Sequence, residues 1–296
     1  MEEKRRPGDS GQITRDYFDS LLVEFRHIDS VLPSTDFTLF GETFSTPVMT
    51  ADLSHLNKVH PGGLTEMARG AKAANAVMWV GMGEDEELES IVGTGARTIK
   101  IIKPHADNAE VFRKIEHAER IGAFAVGMDI DHAFNHRGEY DTVLGLPMRP
   151  KSLEELKSFV KATKLPFVIK GVLSVQDAEK CLEAGVSGIV LSHHHGIMDY
   201  AVPPLMLLPR VAEAVKGRIP IFLDCDVNRG LDVFKSIALG ASAASVGRAL
   251  MGPLGESGAD GVEKAIGNMT AELAHAMALT CSPDLNSIAP NVIWKA

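Results

Sequence analysis

Short apolar segments alternate with amphipathic helical patterns along most of the chain, and this alternation is the feature that most constrains the fold. Eight segments are predicted as strands, at residues 47–51, 77–81, 98–103, 124–130, 166–170, 188–192, 220–224 and 243–247. Patterns with the 3.6-residue helical period lie between them, at 62–75, 108–121, 153–162, 176–184, 205–215 and 230–239. Strands that alternate with helices form parallel sheets, because each helix carries the chain back across the sheet.

Eight β-α units in series favour a closed barrel over an open doubly wound sheet, which remains the alternative architecture. An open sheet that binds a dinucleotide would carry GxGxxG after its first strand, whereas DLSHLNK follows the first strand here. The predicted fold class is therefore α/β, a single (β/α)8 TIM barrel. Residues 1–46 are predicted to be an N-terminal segment that packs on a barrel formed by residues 47–296.

The segments outside the alternating pattern carry weaker signals. A helix is predicted around residues 15–25, a hairpin within 38–44 (TLFGETF) and a C-terminal helix over 261–279 that closes the barrel. The first dozen residues are predicted to be disordered, because they are polar and precede any periodic pattern.

Composition excludes several classes of partner. The net charge of −9 disfavours nucleic acid and anionic membranes as partners, and no apolar run approaches the 18 residues of a membrane span. The N-terminal stretch is charged and lacks the apolar region of a secretory signal. Three cysteines at distant positions, Cys181, Cys225 and Cys281, form no disulfide framework and indicate a reducing cytoplasm.

Ionisable side chains are concentrated where the predicted strands end, and the active site of a TIM barrel lies at the carboxyl ends of its strands. These residues are Asp52, His55, Lys100, Lys103, His105, Asp129, Asp131, His132, His136, Lys170, His193, His194, His195, Asp224, Asp226 and Arg248. Any one of them could be a solvated loop residue, but the concentration of the whole group predicts a reaction centre at this end of the barrel.

Two positions carry specific chemistry. Lys170 closes the apolar strand PFVIK, so its ammonium group needs an anion or an electron-rich ring unless it forms a structural salt bridge. Gly247 and Arg248 follow the eighth strand, where backbone N–H groups and a guanidinium can hold a phosphate. The alternative for Arg248 is that it merely caps the barrel.

Two sequence runs resemble the FMN-dependent 2-hydroxy-acid oxidases and dehydrogenases: IKGVLSVQDAEKCLEAGVSGIVLSHHHG and PIFLDCDVNRGLDVFKSIALGASAASVGRALMG. The similarity is clear over residues 166–285, and the upstream run LFGETFSTPVMTADL resembles the family's entry into the first strand. The resemblance implies bound FMN, a small-molecule substrate and a homotetramer.

The resemblance also implies residue roles. His194 stands at the family's catalytic histidine, which removes a proton from the substrate, and Lys170 at the lysine that contacts the N1/O2 edge of the flavin. Asp224 stands at the aspartate that orients the histidine or the ribityl chain. The implied cofactor-binding residues are Ala51, Lys100, Lys170, Ser192, Asp224, Arg229, Gly247 and Arg248.

The chain departs from the family pattern in the substrate pocket. The family's substrate arginine is replaced by Ile197, and its tyrosine on the third strand by Ile102. Isoleucine cannot bind a carboxylate in the bidentate manner of arginine, so the pocket is predicted to be rebuilt. Arg137 or Lys100 could supply another carboxylate clamp. The predicted substrate-contacting residues are Arg137, His193, His195 and Asp129.

The chain also departs from the family pattern at the cofactor phosphate. The family's Asp-Gly-Gly-x-Arg after the seventh strand is Asp-Cys-Asp-Val-Asn here, at residues 224–228. One phosphate arginine is thereby lost unless Arg229 substitutes for it. Asp226 brings a carboxylate to the place where a phosphate is expected, an unfavourable pair unless Arg248 or Arg229 lies between the two anions.

These features predict an FMN-dependent oxidoreductase acting on a CH–OH group, and three alternatives stay open. The first is an FMN-dependent isomerase, as in the related type 2 isopentenyl diphosphate isomerase. The second is an inactive flavin or phosphate sensor, or a structural homologue. The third is a metal-dependent barrel lyase or hydrolase, since imidazole with carboxylate suits zinc, manganese or iron. Its ligands would come from His193, His194, His195, Asp129, Asp131, His132, His136, Asp224 and Asp226.

Overall fold

The structure, a computed structural model, describes residues 6–194 and 197–296. Its strands are β1 (Leu21–Val23), β2 (Phe37–Leu39), β3 (Glu42–Phe44), β4 (Val48–Thr50), β5 (Met78–Val80), β6 (Thr98–Ile102), β7 (Ala125–Asp129), β8 (Thr142–Val143), β9 (Leu146–Pro147), β10 (Phe167–Val172), β11 (Gly188–Leu191), β12 (Ile221–Leu223), β13 (Ala243–Val246) and β14 (Ile293–Lys295). Its α-helices are α1 (Ser10–Asp19), α2 (Gly63–Ala73), α3 (Asp85–Gly93), α4 (Asn108–Arg120), α5 (Leu153–Lys161), α6 (Val175–Ala184), α7 (Pro204–Val215), α8 (Gly230–Ala238) and α9 (Arg248–Ala278).

Eight parallel strands form one sheet in the order β4-β13-β12-β11-β10-β7-β6-β5. The seam between β4 and β5 is bridged at Thr50, whose N–H donates to the Val77 carbonyl at 3.2 Å. The Thr50 hydroxyl accepts the Trp79 N–H at 2.8 Å. The eight predicted strands all occur, and the predicted (β/α)8 TIM barrel is confirmed.

The helices cover the barrel because each has one apolar face. In α4 the buried positions include Val111, Ile115 and Ala118, which is the predicted face. Burying an aliphatic side chain of this size contributes about 1.5–3 kcal/mol. Inside the barrel, Trp79 and Phe222 meet edge to face with ring centroids 5.4 Å apart. The strand ends are thus held on a closely packed core, which fixes the side chains that follow them.

The N-terminal segment differs from its prediction. The helix predicted at 15–25 is α1, which begins at Ser10 and ends at Asp19, because the next residues form β1 and pair with β14 at the other end of the chain. The prediction of disorder was wrong for residues 6–12: Arg6 binds Asp199 and Ser10 donates to the Met198 carbonyl. Its remainder, residues 1–5, lies outside the described residues.

The remaining flanking elements follow the predictions more closely. The predicted hairpin at 38–44 is confirmed as the β2–β3 pair. The predicted C-terminal helix forms the second part of α9, which is kinked at Ser257 and Gly258. Helix α3 has no counterpart in the sequence prediction. Its sequence begins with the acidic run DEELES, and its buried apolar face consists of only Leu88 and Ile91, which is too short a pattern to be recognised. In the part of the chain that the structure describes, no helix combines the length and apolarity that a membrane crossing requires.

Candidate active site

A cavity of about 250 Å³ opens at the carboxyl ends of the barrel strands. It is lined by Ala51, Asp52, Leu53, Lys170, His194, Asp224, Cys225, Asp226, Val227, Asn228, Ser245, Gly247 and Arg248. The parallel sheet brings these residues together, because every one of its strands ends on the same side of the barrel. The cavity therefore joins the predicted reaction centre to the predicted phosphate site.

Lys170 lies at the inner end of the cavity and is almost fully buried. Its Nζ lies 3.4 Å from Asp52 Oδ1 and 3.7 Å from Asp224 Oδ2. Burial alone would lower the pKa of the lysine, but the charges of Asp52, Asp129 and Asp224 raise this pKa well above its ordinary value. The side chain is consequently a permanent cation in a buried position.

His194 lies beside this cation, near the start of the loop that follows β11. Its Nδ1 is 3.3 Å from Lys170 Nζ, 3.3 Å from Asp129 Oδ2 and 3.2 Å from Asp131 Oδ1. Burial lowers the pKa of His194, but the hydrogen bonds to the two carboxylates outweigh it and raise this pKa to about 9. The backbone φ of +45° is held by the bond from the His194 N–H to Ser192 Oγ at 3.1 Å. A histidine strained in this way is typical of a functional position.

Two carboxylates from the end of β7 face the histidine and carry different charges. Asp129 is fully buried and binds Lys103 Nζ at 2.5 Å. Burial raises the pKa of Asp129, but Lys170, Asp131, His194 and Lys103 together lower it well below its usual range. Burial and the neighbouring Asp129 charge raise the pKa of Asp131 to about 7. The pair can therefore store one proton near neutral pH.

Gly171 makes room for Asp131. Its φ is +91°, and a Cβ built on it would lie 2.8 Å from the Asp131 carboxyl carbon. The strand β10 bulges at this point, where its register with β11 shifts between Lys170 and Val172. The Lys-Gly sequence thus places an ammonium group and a gap for a carboxylate side by side.

Hydroxyl groups hold Asp224 at the end of β12. Ser192 Oγ donates to Asp224 Oδ2 at 3.3 Å and Ser245 Oγ to Asp224 Oδ1 at 3.2 Å. With Lys170 beside Oδ2, the partners of this carboxylate come from β10, from β13 and from the residue that follows β11. Asp224 therefore links the Lys170 ammonium group to the neighbouring strand ends and fixes its position.

The outer end of the cavity is formed where β13 passes into α9. Gly247 precedes the first turn of α9, and Arg248 begins it. Arg248 Nη2 lies 2.5 Å from Asp226 Oδ1. Arg229 binds Glu272 on α9 through its Nε at 2.7 Å and is not among the described residues that line the cavity.

Other predicted site residues lie away from this cluster. Lys100 Nζ donates to the Gly81 carbonyl, and burial lowers the pKa of Lys100 to about 8. His193 Nε2 faces the N-terminal helix, 2.8 Å from Thr14 Oγ1. Arg137 is exposed in the loop after β7. His195 lies outside the described residues.

A possible metal-ligand set lies beside the cavity, but the site does not favour a metal enzyme. Ligand atoms of Asp129, Asp131, His132 and His194 lie within 4.8 Å of one another. Lys103 and Lys170 already supply positive charge to these carboxylates at close range. Of the other residues proposed as metal ligands, Asp226 binds Arg248, His193 faces Thr14 and His136 is exposed.

Sequence reasoning missed Asp52 as a contributor to the site and Thr14 as the partner of His193. The sequence pattern places Asp52 only among the many polar residues after strands, although it contacts Lys170 at 3.4 Å. Thr14 had no signal at all, because its role depends on how α1 docks on the barrel. The position of Asp52 two residues after β4 is the signal that could have ranked it higher.

The sequence pattern that defines the FMN-dependent dehydrogenases matches this chain in two segments, residues 7–157 and 148–295. The chain belongs to this family. A peroxisomal (S)-2-hydroxyacid oxidase from Arabidopsis thaliana is 32% identical over 86% of this chain and 79% of its own length. Glycolate oxidase from Spinacia oleracea is 29% identical over 90% of this chain and 81% of its own length.

Solved structures of mandelate oxidase have the same fold as this chain. A mandelate oxidase variant with (S)-mandelic acid superimposes with a TM-score of 0.87 at 25% identity, covering 98% of this chain and 90% of that one. A mandelate oxidase variant with a C4a-OH-FMN adduct superimposes with a TM-score of 0.87 at 27% identity, covering 96% of this chain and 90% of that one. These findings confirm the predicted family and its FMN cofactor.

The residues of the cavity fit FMN. The buried ammonium of Lys170 at the inner end suits the electron-rich edge of a flavin ring, and Arg248 with the start of α9 suits a phosphate at the outer end. Ala51 and Gly247 lie between them, with an added Gly247 Cβ only 3.3 Å from Ala51 Cβ. Asp226 adds a carboxylate at the phosphate end.

Proposed function

We propose that the chain is an FMN-dependent oxidoreductase that oxidises a CH–OH group, with His194 as the proton acceptor. One observation carries the proposal: His194 and Lys170 are in contact at the inner end of a cavity whose outer end is Gly247 and Arg248. Hydroxy-acid oxidation by the relatives supports the same reaction class.

The chain's own residues divide the work of the reaction. FMN, when bound, supplies the acceptor for the electron pair of the substrate C–H bond. His194, once its imidazole has lost its proton, takes the proton of the substrate hydroxyl, so that the alcohol becomes a carbonyl. Asp129 and Asp131 stabilise the imidazolium that forms. Lys170 holds a positive charge beside the ring edge where negative charge develops.

The substrate pocket is proposed to be rebuilt for a group other than a free carboxylate. Ile197 is exposed and Ile102 is buried, at the places of the two family residues that bind the substrate acid. The alternative clamps are unsuited, because Arg137 is exposed and Lys100 binds Gly81. The ionised carboxylate of Asp129 beside His194 further disfavours a substrate carboxylate at this place, because like charges repel.

Anaerobic reduction of the bound flavin tests both parts of this proposal. Each 2-hydroxy acid is compared with its uncharged amide, and the amide is expected to reduce the flavin at least about tenfold faster per molar concentration. Faster reduction by the acids would contradict the rebuilt pocket and leave the oxidoreductase assignment standing.

His194→Gln tests the proton acceptor. It is expected to slow flavin reduction by about 10²–10⁴-fold while flavin stays bound. His275→Gln, an exposed histidine on α9, is the matched control and is expected to react like the unmodified chain. Normal reduction in His194→Gln would remove this residue from the mechanism.

We also propose a homotetramer in the cytoplasm, with residues 47–296 as one barrel domain and residues 1–46 packed on it. Three free thiols support a reducing compartment. Exposed apolar side chains on the loops around the cavity mouth support a subunit interface there. They include Phe134, Tyr140, Leu144, Leu146, Met198 and Tyr200. Light scattering on the eluting protein tests the tetramer, and fractionation of cells that express the chain tests the compartment.

A further inference from the structure

The phosphate end of the cavity contains an anion that belongs to the protein. Asp226 Oδ1 lies 2.5 Å from Arg248 Nη2, and both residues line the cavity. The Asp226 side chain is 9% exposed, whereas the Arg248 side chain is 55% exposed. The carboxylate therefore lies on the inner side of the pair, and the guanidinium at the rim bends back toward it.

The backbone of the β12–α8 loop holds this carboxylate in place. Arg15 Nη1 on α1 donates to the Asp226 carbonyl at 2.9 Å, and Asn228 Nδ2 donates to the same oxygen at 3.2 Å. The N–H of Asn228 donates to Asp232 Oδ2, which also binds Arg15. Helix α1 thus fastens the loop from outside the barrel.

Two residues of this loop have backbone angles that are unfavourable for residues other than glycine. Cys225 and Asp226 have φ values of +77° and +57°, in the left-handed region that favours glycine. Residues keep such angles only where their surroundings impose them. The Asp226 carboxylate is therefore a fixed part of the phosphate end.

The second arginine near this end is engaged elsewhere. Arg229 binds Glu272 through Nε at 2.7 Å, and Glu272 Oε2 accepts the Gly230 N–H at 2.8 Å. Glu272 therefore both neutralises the arginine and caps the first turn of α8. Arg248 is left as the cavity-lining cation at the start of α9, and it is shared with Asp226.

We propose that Asp226 sets the cofactor selectivity of this chain by competing with the terminal phosphate of the flavin for Arg248. The phosphate of FMN gains little at this end, because it meets a carboxylate and a guanidinium that is already neutralised. Riboflavin, which ends in a hydroxyl, meets no such repulsion. This inference rests on the flavin binding of the proposed function and predicts that the two flavins bind with similar affinity.

The test is a pair of binding titrations on the full-length chain after its flavin has been removed by dialysis. FMN and riboflavin are each followed by quenching of their fluorescence, at one fixed ionic strength because exposed charges are screened by salt. For the unmodified chain, the ratio of the riboflavin Kd to the FMN Kd is expected to be below about tenfold.

Two variants remove the carboxylate in different ways. Asp226→Asn keeps the size of the side chain, and Asp226→Gly also relieves the positive φ, so it is expected to fold even if the first does not. Both are expected to raise the riboflavin-to-FMN ratio of Kd values by at least about tenfold, through tighter FMN binding. Glu42→Gln, which removes a carboxylate from the exposed pair with Arg97, is the matched control and is expected to leave the ratio unchanged.

The outcomes separate this inference from the proposed function. A ratio that rises by less than about tenfold in the folded variants would overturn the role of Asp226, while flavin reduction by substrate would still support the oxidoreductase. Failure of the unmodified chain and of both variants to bind either flavin would overturn the inference and the proposed function together.

Discussion

Nζ of Lys170 lies 3.3 Å from Nδ1 of His194, so a permanent cation touches the nitrogen that also faces two carboxylates. When Nδ1 carries a proton, it can donate to Asp129 or Asp131. When it has lost that proton, it can accept a hydrogen bond from the lysine. The contact therefore serves both protonation states of the histidine, which is what a residue that gains and loses a proton in each turnover requires.

The pH dependence of flavin reduction should report this arrangement. The pKa of His194 is raised to about 9, so the unprotonated imidazole becomes more abundant as the pH rises toward that value. The rate of flavin reduction per molar substrate is expected to rise about tenfold per pH unit below it.

Asp131→Asn removes one of the charges that raise the pKa of His194, so it should move this profile to lower pH. Asp199→Asn, in the exposed pair with Arg6, serves as the control. A profile that Asp131→Asn leaves in place would show that another group limits the rate.

The same raised pKa predicts a loss of stability in alkaline solution. The pKa of His194 in the folded protein lies above the ordinary value of 6.5. The stabilisation that the protonated imidazole gives to the folded state is therefore complete below pH 6.5 and is lost as the pH rises through about 9. The free energy of unfolding should fall by about 1–3 kcal/mol more in the unmodified chain than in His194→Gln over this window. Urea unfolding at pH 6.5 and 9.5 measures the difference, and equal losses in both proteins would count against the raised pKa.

Lys170→Met should affect both cofactor and stability. It leaves the buried carboxylates of Asp52, Asp129 and Asp224 without their shared cation, at a cost of about 3–5 kcal/mol. It should also weaken FMN binding and lower the redox potential of the bound flavin. Lys157→Met is the matched control, because Lys157 also binds two carboxylates but at the surface, where an ion pair contributes little to stability. Unchanged flavin affinity and potential would place Lys170 outside the cofactor site.

Gly171→Ala should disturb the site through Asp131. The added Cβ would lie 2.8 Å from the Asp131 carboxyl carbon, and φ is +91°. Gly122→Ala has a similar φ of +80° with nothing within 4 Å of the added Cβ, so it isolates the backbone cost of about 1–2 kcal/mol. Gly171→Ala is expected to lower the free energy of unfolding by at least about 1 kcal/mol more than this control does, and to shift the pH profile of flavin reduction. Equal losses of stability in the two variants would mean that Asp131 moves aside without cost.

The barrel and the general place of the site could be predicted because both follow from local patterns. Apolar strands alternating with amphipathic helices specify the parallel sheet, and a residue directly after a strand must lie at the sheet's carboxyl edge. The family resemblance singles out Lys170, His194 and Asp224 among the residues at the strand ends, and the structure brings these three side chains into contact.

The directions of side chains and the docking of the flanking segments could not be predicted in this way. Alternation along a strand says that His193 and His194 point apart, but not which of them faces the cavity. Helix α1 ends at Asp19 because β1 pairs with β14, and local propensity holds no information on so distant a partner. The left-handed backbone conformation of Asp226 could not be predicted either, since a Cys-Asp dipeptide does not indicate a positive φ.

The ladder between Leu21–Val23 and Ile293–Lys295 has a consequence for the order of folding. Arg15, which binds the Asp226 carbonyl, precedes β1 by only a few residues, whereas β14, the partner of β1, follows all eight barrel strands in the sequence. Contacts between such distant parts of a chain form slowly. The phosphate end of the cavity should therefore reach its final geometry late in folding, after the barrel strands have paired.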